Sequence, residues 1–184
     1  MALHAAQVIA APRHVAIIMD GNRRWSRRHG VSLPEGYRRG VGALRNAVAA
    51  AIDHGVDVLT VYGFSTENWR RDAAEVSLLM SVCAAAAQSE LFALVRESVR
   101  VRVVGDIAPF PRATRSALLQ LVDATAHNTR LTLQLALNYS GRAEILQAVR
   151  SIVADAASGQ VRSDDIDARF PGLLDAVVQG VETP

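Results

Sequence analysis

His14-Val-Ala-Ile-Ile-Met-Asp-Gly-Asn-Arg-Arg-Trp25 is an apolar, partly β-branched run that stops abruptly at Asp20-Gly21-Asn22. Two arginines and a tryptophan follow at once. The pattern predicts a buried strand over Val15 to Met19 and a turn at its carboxyl end. In open α/β sheets, ligands bind at the carboxyl ends of the strands. An acid, a glycine, an amide and two guanidinium groups gathered there suit a metal-bound phosphate.

Working outward, Trp25 to His29 reads as a short helical turn closed by Gly30. Pro34 opens a long helix with Val41, Leu44, Val48 and Ile52 at helical spacing, ended by His54 and Gly55. Val58 to Phe64 is the second predicted strand, and a polar loop, Ser65 to Arg71, leaves its carboxyl end. Asp72 followed by Glu75 resembles a capping box for a helix running to about Ser98. Arg100 to Val104 is the third strand, and Pro111 starts the next helix. Leu131 to Leu137 is the fourth strand, Gly141 leads into another helix, and Ser163 caps a last short one. Strands alternating with helices predict an α/β fold, a single domain over 1–184 with a mainly parallel central sheet flanked by helices. Residues 1–12 read as a loose tail.

Composition agrees with an ordinary globular chain. The 184 residues are half hydrophobic and one fifth charged, and a formal charge of +2 gives no reason to expect nucleic acid as a partner. Cys83 is the single cysteine, so no internal disulfide forms, which fits a cytoplasmic protein. No run reaches the roughly 18 consecutive apolar residues of a membrane span, and the reading is of a soluble chain. A nucleotide P-loop and zinc-ligand spacings are both missing from the sequence.

Three of the four strands end in polar residues of one kind. The first supplies Asp20, Gly21, Asn22, Arg23 and Arg24; the second, Ser65, Glu67, Asn68, Trp69 and Arg71; the fourth, Asn138, Ser140, Gly141 and Arg142. In a parallel sheet all three meet along one edge. Arginine forks match phosphate oxygens, and a carboxylate among them makes sense as a Mg2+ ligand, which points to Asp20. Each cluster also has a plainer explanation. Asp-Gly-Asn is often only a turn, exposed arginines are often a solvated face, and Trp25 and Trp69 are often packing residues. Convergence of three clusters places a phosphate site ahead of accident. The alanine-bearing helix beyond Asp72 leaves room for an apolar substrate tail.

These motifs resemble the cis-prenyltransferase family, the undecaprenyl diphosphate synthases. His14 to Trp25 is similar to the family's first signature, and Tyr62-Gly-Phe-Ser-Thr-Glu-Asn-Trp-Arg-Arg71 to its second. Arg102-Val-Val-Gly-Asp106 and Leu131 to Arg142 match further blocks, and the similarity runs from about residue 12 to 170. The resemblance implies condensation of isopentenyl diphosphate, the homoallylic unit, with an allylic prenyl diphosphate to form a cis double bond, with Mg2+ as cofactor. It implies Asp20 as metal ligand, and Asp20, Asn22, Ser65 and Asn68 as the catalytic set. Gly21, Arg23, Arg24, Trp25, Glu67, Trp69, Arg71 and Arg142 fall to substrate binding. It also implies a homodimer, with a loose membrane-surface contact only for product release.

Three departures qualify the resemblance. Arg23 stands where the family usually has a second glycine. Leu33 and Tyr37 stand where it usually has an arginine and a histidine. These features look more like the branch that includes cyclolavandulyl diphosphate synthase, which joins prenyl units irregularly, head to middle. The family's final arginine-serine signature is expected to begin just beyond Pro184, so the sequence is expected to be incomplete there. A non-catalytic prenyl-diphosphate-binding subunit is the alternative from outside enzyme chemistry.

Overall fold

The computed structural model describes residues 12–166. The expected tail over 1–12 lies almost wholly outside them, as does the end of the last short helix. Four strands form one parallel sheet: β1 (His14–Ile18), β2 (Val58–Ser65), β3 (Val99–Val104) and β4 (Leu131–Tyr139). Their order is β1-β2-β4-β3, so the chain leaves β2 for an edge and β4 then inserts between β2 and β3. This order places the carboxyl ends of β1, β2 and β4 side by side.

Among the described residues four α-helices connect the strands, α1 (Asn22–Arg28), α2 (Leu33–Asp53), α3 (Ala73–Arg96) and α4 (Arg112–Thr125), and α5 (Gly141–Ala157) follows β4. Short 3-10 turns occupy Thr66–Arg70 and Ser163–Asp165. The main core joins Leu59 and Val61 of β2, Val99 and Val101 of β3, and Leu131 and Leu133 of β4 to Val48 of α2, Met80 of α3 and Leu118 of α4. Alternation along the strands sends a different set to the other face. There His14 Nε2 lies 2.8 Å from Thr60 Oγ1, and Thr60 donates to Gln134 Oε1 at 2.7 Å. His14, the first residue of β1, is therefore tied into the sheet by this side-chain chain.

The boundaries differ from the sequence reading where single residues redirect the backbone. Gly21 has φ +98°, which lets the chain turn immediately after Asp20, so α1 begins at Asn22 rather than Trp25. Ser98 takes φ +56°, and α3 stops at Arg96. The capping box is in a different place. Asp72 accepts from the Ala74 amide at 2.8 Å, while Glu75 turns into the interior and is only 9% exposed. Reciprocal capping occurs instead at Ser65 and Asn68, where the Ser65 amide donates to Asn68 Oδ1 at 3.1 Å. α3 is also long and apolar enough to cross a membrane by length and composition alone, although no run of consecutive apolar residues suggested it. In the fold Met80 and Ala87 are buried in the main core and Val76, Leu79, Cys83, Ala84, Leu91 and Leu94 pack against it, whereas Phe92 and Val95 are exposed.

A register shift between β2 and β4 brackets Phe64. Strict alternation would put Gly63 on the helix-covered face with Leu59 and Val61. The irregularity turns Phe64 there instead, 5% exposed in the main core. The chain beyond it is thereby re-aimed toward the sheet edge.

Candidate active site

A cavity of about 1000 Å³ opens at the carboxyl ends of the strands and runs between the sheet, α2 and α3. Its mouth is polar: Asp20, Gly21, Asn22, Arg23, Arg24, Ser65, Asn68 and Arg71 all line it. Trp25, Glu67, Trp69 and Arg142, expected with them, do not. Trp25 stacks on His29 at 4.2 Å along α1. Glu67 and Arg142 are exposed. Trp69 Nε1 donates to Asn138 Oδ1 at 2.8 Å and its ring meets Phe64 and Phe110 edge-on. Asn138 is itself held at φ +49°, and its amide donates to the Asp106 carbonyl at 2.6 Å. Trp69 and Asn138 thus join the ends of β2, β3 and β4 and hold the rim in shape.

Asp20 is positioned by its own turn. Its Oδ1 accepts from the Gly21 amide and its Oδ2 from Arg24 Nη2, each at 2.6 Å. Both side chains are about three quarters exposed, so this ion pair holds the two groups only weakly. Among the described residues no three His, Cys, Asp or Glu side chains converge. A lone carboxylate beside guanidinium groups fits Mg2+ of the kind held by one protein ligand, substrate phosphates and water.

A second carboxylate, Glu75, does not itself line the cavity but lies buried behind the mouth, where it was not expected. Tyr37 Oη donates to Glu75 Oε1 at 2.7 Å, Arg71 Nη1 donates to the same oxygen at 2.9 Å, and Arg23 Nη1 lies 3.5 Å from Oε2. Burial alone would raise the Glu75 pKa, but the bonds from Tyr37 and Arg71 and the charge of Arg23 outweigh it and hold the carboxyl below its ordinary range. Burial, reinforced by Glu75, pushes the Tyr37 phenol up to about 12. The network aims Arg23 and Arg71 across the mouth. Arg23, the residue that departs from the expected glycine, is part of it.

Asn22 depends on two glycines. A Cβ on Gly36 would sit 1.8 Å from Ser26 Oγ, and one on Gly40 would sit 2.7 Å from Asn22 Oδ1. Glycine at both places lets α1 nest on α2 and sets where the Asn22 amide points. Their four-residue spacing on one helix was the available signal. Gly40→Ala should therefore cut kcat/KM several-fold by displacing Asn22. Thermal stability should change little, because alanine favours the helix by about 1 kcal/mol. Unchanged kinetics in the folded variant would remove Asn22 placement from the site.

Comparison with known proteins follows from this geometry. The Prenyltransf family profile, that of the undecaprenyl diphosphate synthases, matches residues 18–178. The chain belongs to this prenyltransferase family. It is 45% identical over 159 residues to an isoprenyl transferase of Heliobacterium mobile, covering 86% of this chain and 61% of that one. It is also 45% identical over 155 residues to the ditrans,polycis-undecaprenyl-diphosphate synthase, (2E,6E)-farnesyl-diphosphate specific, of Salmonella paratyphi A, covering 84% and 62%. The chain thus spans about three fifths of the length of these curated relatives. Among solved structures of the prenyltransferase fold, lavandulyl diphosphate synthase from Lavandula x intermedia, in complex with dimethylallyl diphosphate, matches with a TM-score of 0.85 and 32% identity. That match covers 89% of this chain and 70% of the other.

Proposed function

We propose that the protein is a Mg2+-dependent cis-prenyltransferase that adds isopentenyl diphosphate to a short allylic diphosphate. The observation that carries this reading is the junction of a cationic mouth, with one exposed carboxylate, to an apolar cavity of about 1000 Å³. Arg23, Arg24 and Arg71 bind the allylic diphosphate, and Asp20 holds the metal. Bound Mg2+ helps neutralise the diphosphate and makes it a better leaving group. Arg24 moves from Asp20 to phosphate at little cost, because the exposed pair it leaves is weak. The allylic carbon–oxygen bond breaks with its electron pair on diphosphate. The resulting allylic carbon bonds to the isopentenyl double bond, and loss of a proton completes the step. Asn22, Ser65 and Asn68 orient the reacting carbons, the latter two held rigid by their reciprocal cap. The reading carries with it a homodimer in the cytoplasm, with a loose membrane-surface contact only at product release.

Irregular coupling of dimethylallyl units is the second reading. It is favoured by Arg23 and Tyr37 at the mouth and by the likeness to a lavandulyl diphosphate synthase. Chain elongation stands first because the cavity matches the upper end of small-ligand pockets. Two five-carbon units would leave most of it unfilled, against the close packing of protein interiors.

Incubation with Mg2+ and dimethylallyl, geranyl or farnesyl diphosphate, each with and without isopentenyl diphosphate, decides between the readings. Elongation predicts cis products that need isopentenyl diphosphate. Branched products from dimethylallyl diphosphate alone establish the irregular reading, and binding without turnover in any arm overturns both catalytic readings for this chain.

A further inference from the structure

We propose that α1 and the first turns of α2 form a docking rim that seats the cavity mouth on an anionic lipid bilayer, a partner that follows only if the cavity binds prenyl diphosphates. Residues 24–39 contain five arginines and one acid, Glu35, a formal charge of +4. The whole chain carries +2, so everything outside this stretch is net acidic. The asymmetry is centred on the mouth, where Arg24 and Arg27 line the cavity.

The two helices raise this charge above the sheet. α1 passes α2 in the opposite direction, with Asn22 against Gly40 and Ser26 against Gly36. α2 links two parallel strands and so runs from the mouth back along the sheet. α1 therefore climbs outward, and Ser26 stands roughly 6 Å beyond Asn22. Its neighbours Trp25, Arg27, Arg28 and His29 are all exposed. Among the described residues no acid pairs with Arg27 or Arg28, and the single carboxylate of Glu35 is shared by Arg38 and Arg39 at 2.9 Å each. Most of the rim's charge is thus left for an outside anion.

Trp25 favours a lipid surface over other polyanions. Its ring is 37% exposed and stacked on His29 at 4.2 Å, so an apolar plate lies among the arginines. Tryptophan settles at the headgroup level of a bilayer, where the ring meets hydrocarbon and the N–H stays wet, while basic side chains meet the lipid phosphates. The chemistry of the site points the same way. A prenyl diphosphate whose head sits at the mouth leaves with its tail drawn out past the rim. A bilayer seated there receives the tail without exposing it to water. Each basic residue close to an anionic leaflet strengthens binding about fivefold.

The test is cosedimentation with vesicles of phosphatidylcholine and phosphatidylglycerol in equal parts, and with vesicles of phosphatidylcholine alone. The protein should bind the first and not the second, and about 1 M salt should release it, because charges are then screened within roughly 3 Å. Tryptophan emission should move to shorter wavelength on binding, and Trp25→Phe should lose that shift. Arg28→Gln with Arg39→Gln should weaken binding about tenfold or more. Both side chains are exposed and neither lines the cavity, so this variant should melt with the unaltered protein. Arg96→Gln with Arg130→Gln removes the same charge near the strands' amino ends, several screening lengths away, and should leave binding almost unchanged. Equal losses from the two pairs reduce the contact to diffuse charge and overturn the rim. An emission that does not move on binding, or a shift that persists in Trp25→Phe, overturns the seating of Trp25 in lipid and with it the proposal. No binding to the anionic vesicles, with prenyl products still formed from soluble short diphosphates, overturns the rim and leaves the site reading standing. Failure of every prenyl diphosphate to bind overturns both.

Discussion

Asp20→Ala is expected to lower turnover by well over tenfold while the fold melts within a few degrees of the unaltered protein. The stability half of this expectation follows from exposure. The Asp20 side chain is 75% exposed and its ion pair with Arg24 lies in water, where such pairs contribute little. Its bond to the Gly21 amide supports the turn, but Gly21 takes its φ of +98° without strain and the following helix holds the turn from the other side. The activity half follows from charge. Asp20 is the carboxylate that faces the guanidinium groups at the first strand's end, and under the proposed function the Mg2+ it would hold is asked to offset a multiply charged leaving group. Asp20→Asn separates the two roles. The amide oxygen can still accept from Gly21, so the turn survives, yet the anionic ligand is gone. The asparagine variant should therefore resemble the alanine variant in rate and need more Mg2+ for half-maximal activity. Near-normal activity of Asp20→Asn at unchanged Mg2+ demand would sink the metal role.

The parts of this site that were legible in the sequence are those set by local pattern. Val15 to Met19, Val58 to Phe64 and Leu131 to Leu137 announce strands by composition, and the polar residues after each announce strand ends. Periodicity does not reveal strand order, and convergence depended on β4 inserting beside β2. Glu75 shows why the remainder was hidden. Three residues after Asp72 it has the spacing of a helix cap, and nothing local distinguishes that from its actual place. Besides the local partner Arg71, it is held by Tyr37 and Arg23, which are brought to it by α1 and α2 nesting through Gly36 and Gly40. How Trp69 holds the rim was hidden for the same reason: its partner Asn138 is 69 residues away. Residues whose role is to hold something distant carry no nearby signature.

Glu75→Ala should be the most damaging single change at the mouth that does not touch the metal ligand. It leaves the Tyr37 hydroxyl, in a residue only 6% exposed, without its acceptor, a loss of about 2 kcal/mol. Arg71 and Arg23 are partly exposed and can turn toward water, which limits the further penalty. For a chain of this size the melting temperature should fall roughly 4–8 °C. The kinetic effect should be larger, because Arg71 and Arg23 lose the anion that aims them; the KM for the allylic diphosphate should rise tenfold or more. Glu75→Gln keeps an acceptor for Tyr37 and so should recover most of the stability but little of the KM. The pH dependence supplies a second measurement. Because the folded carboxyl lies below its ordinary range, its contribution is complete above about pH 4.3, the unperturbed value, and is lost as pH falls through the folded value. The difference in melting temperature between the unaltered protein and Glu75→Gln should therefore be greatest near neutrality and shrink in acid. A difference that stays constant from neutral pH down to strongly acid solution would mean that Glu75 does not act as a buried anion, and the aiming of Arg23 and Arg71 would need another cause.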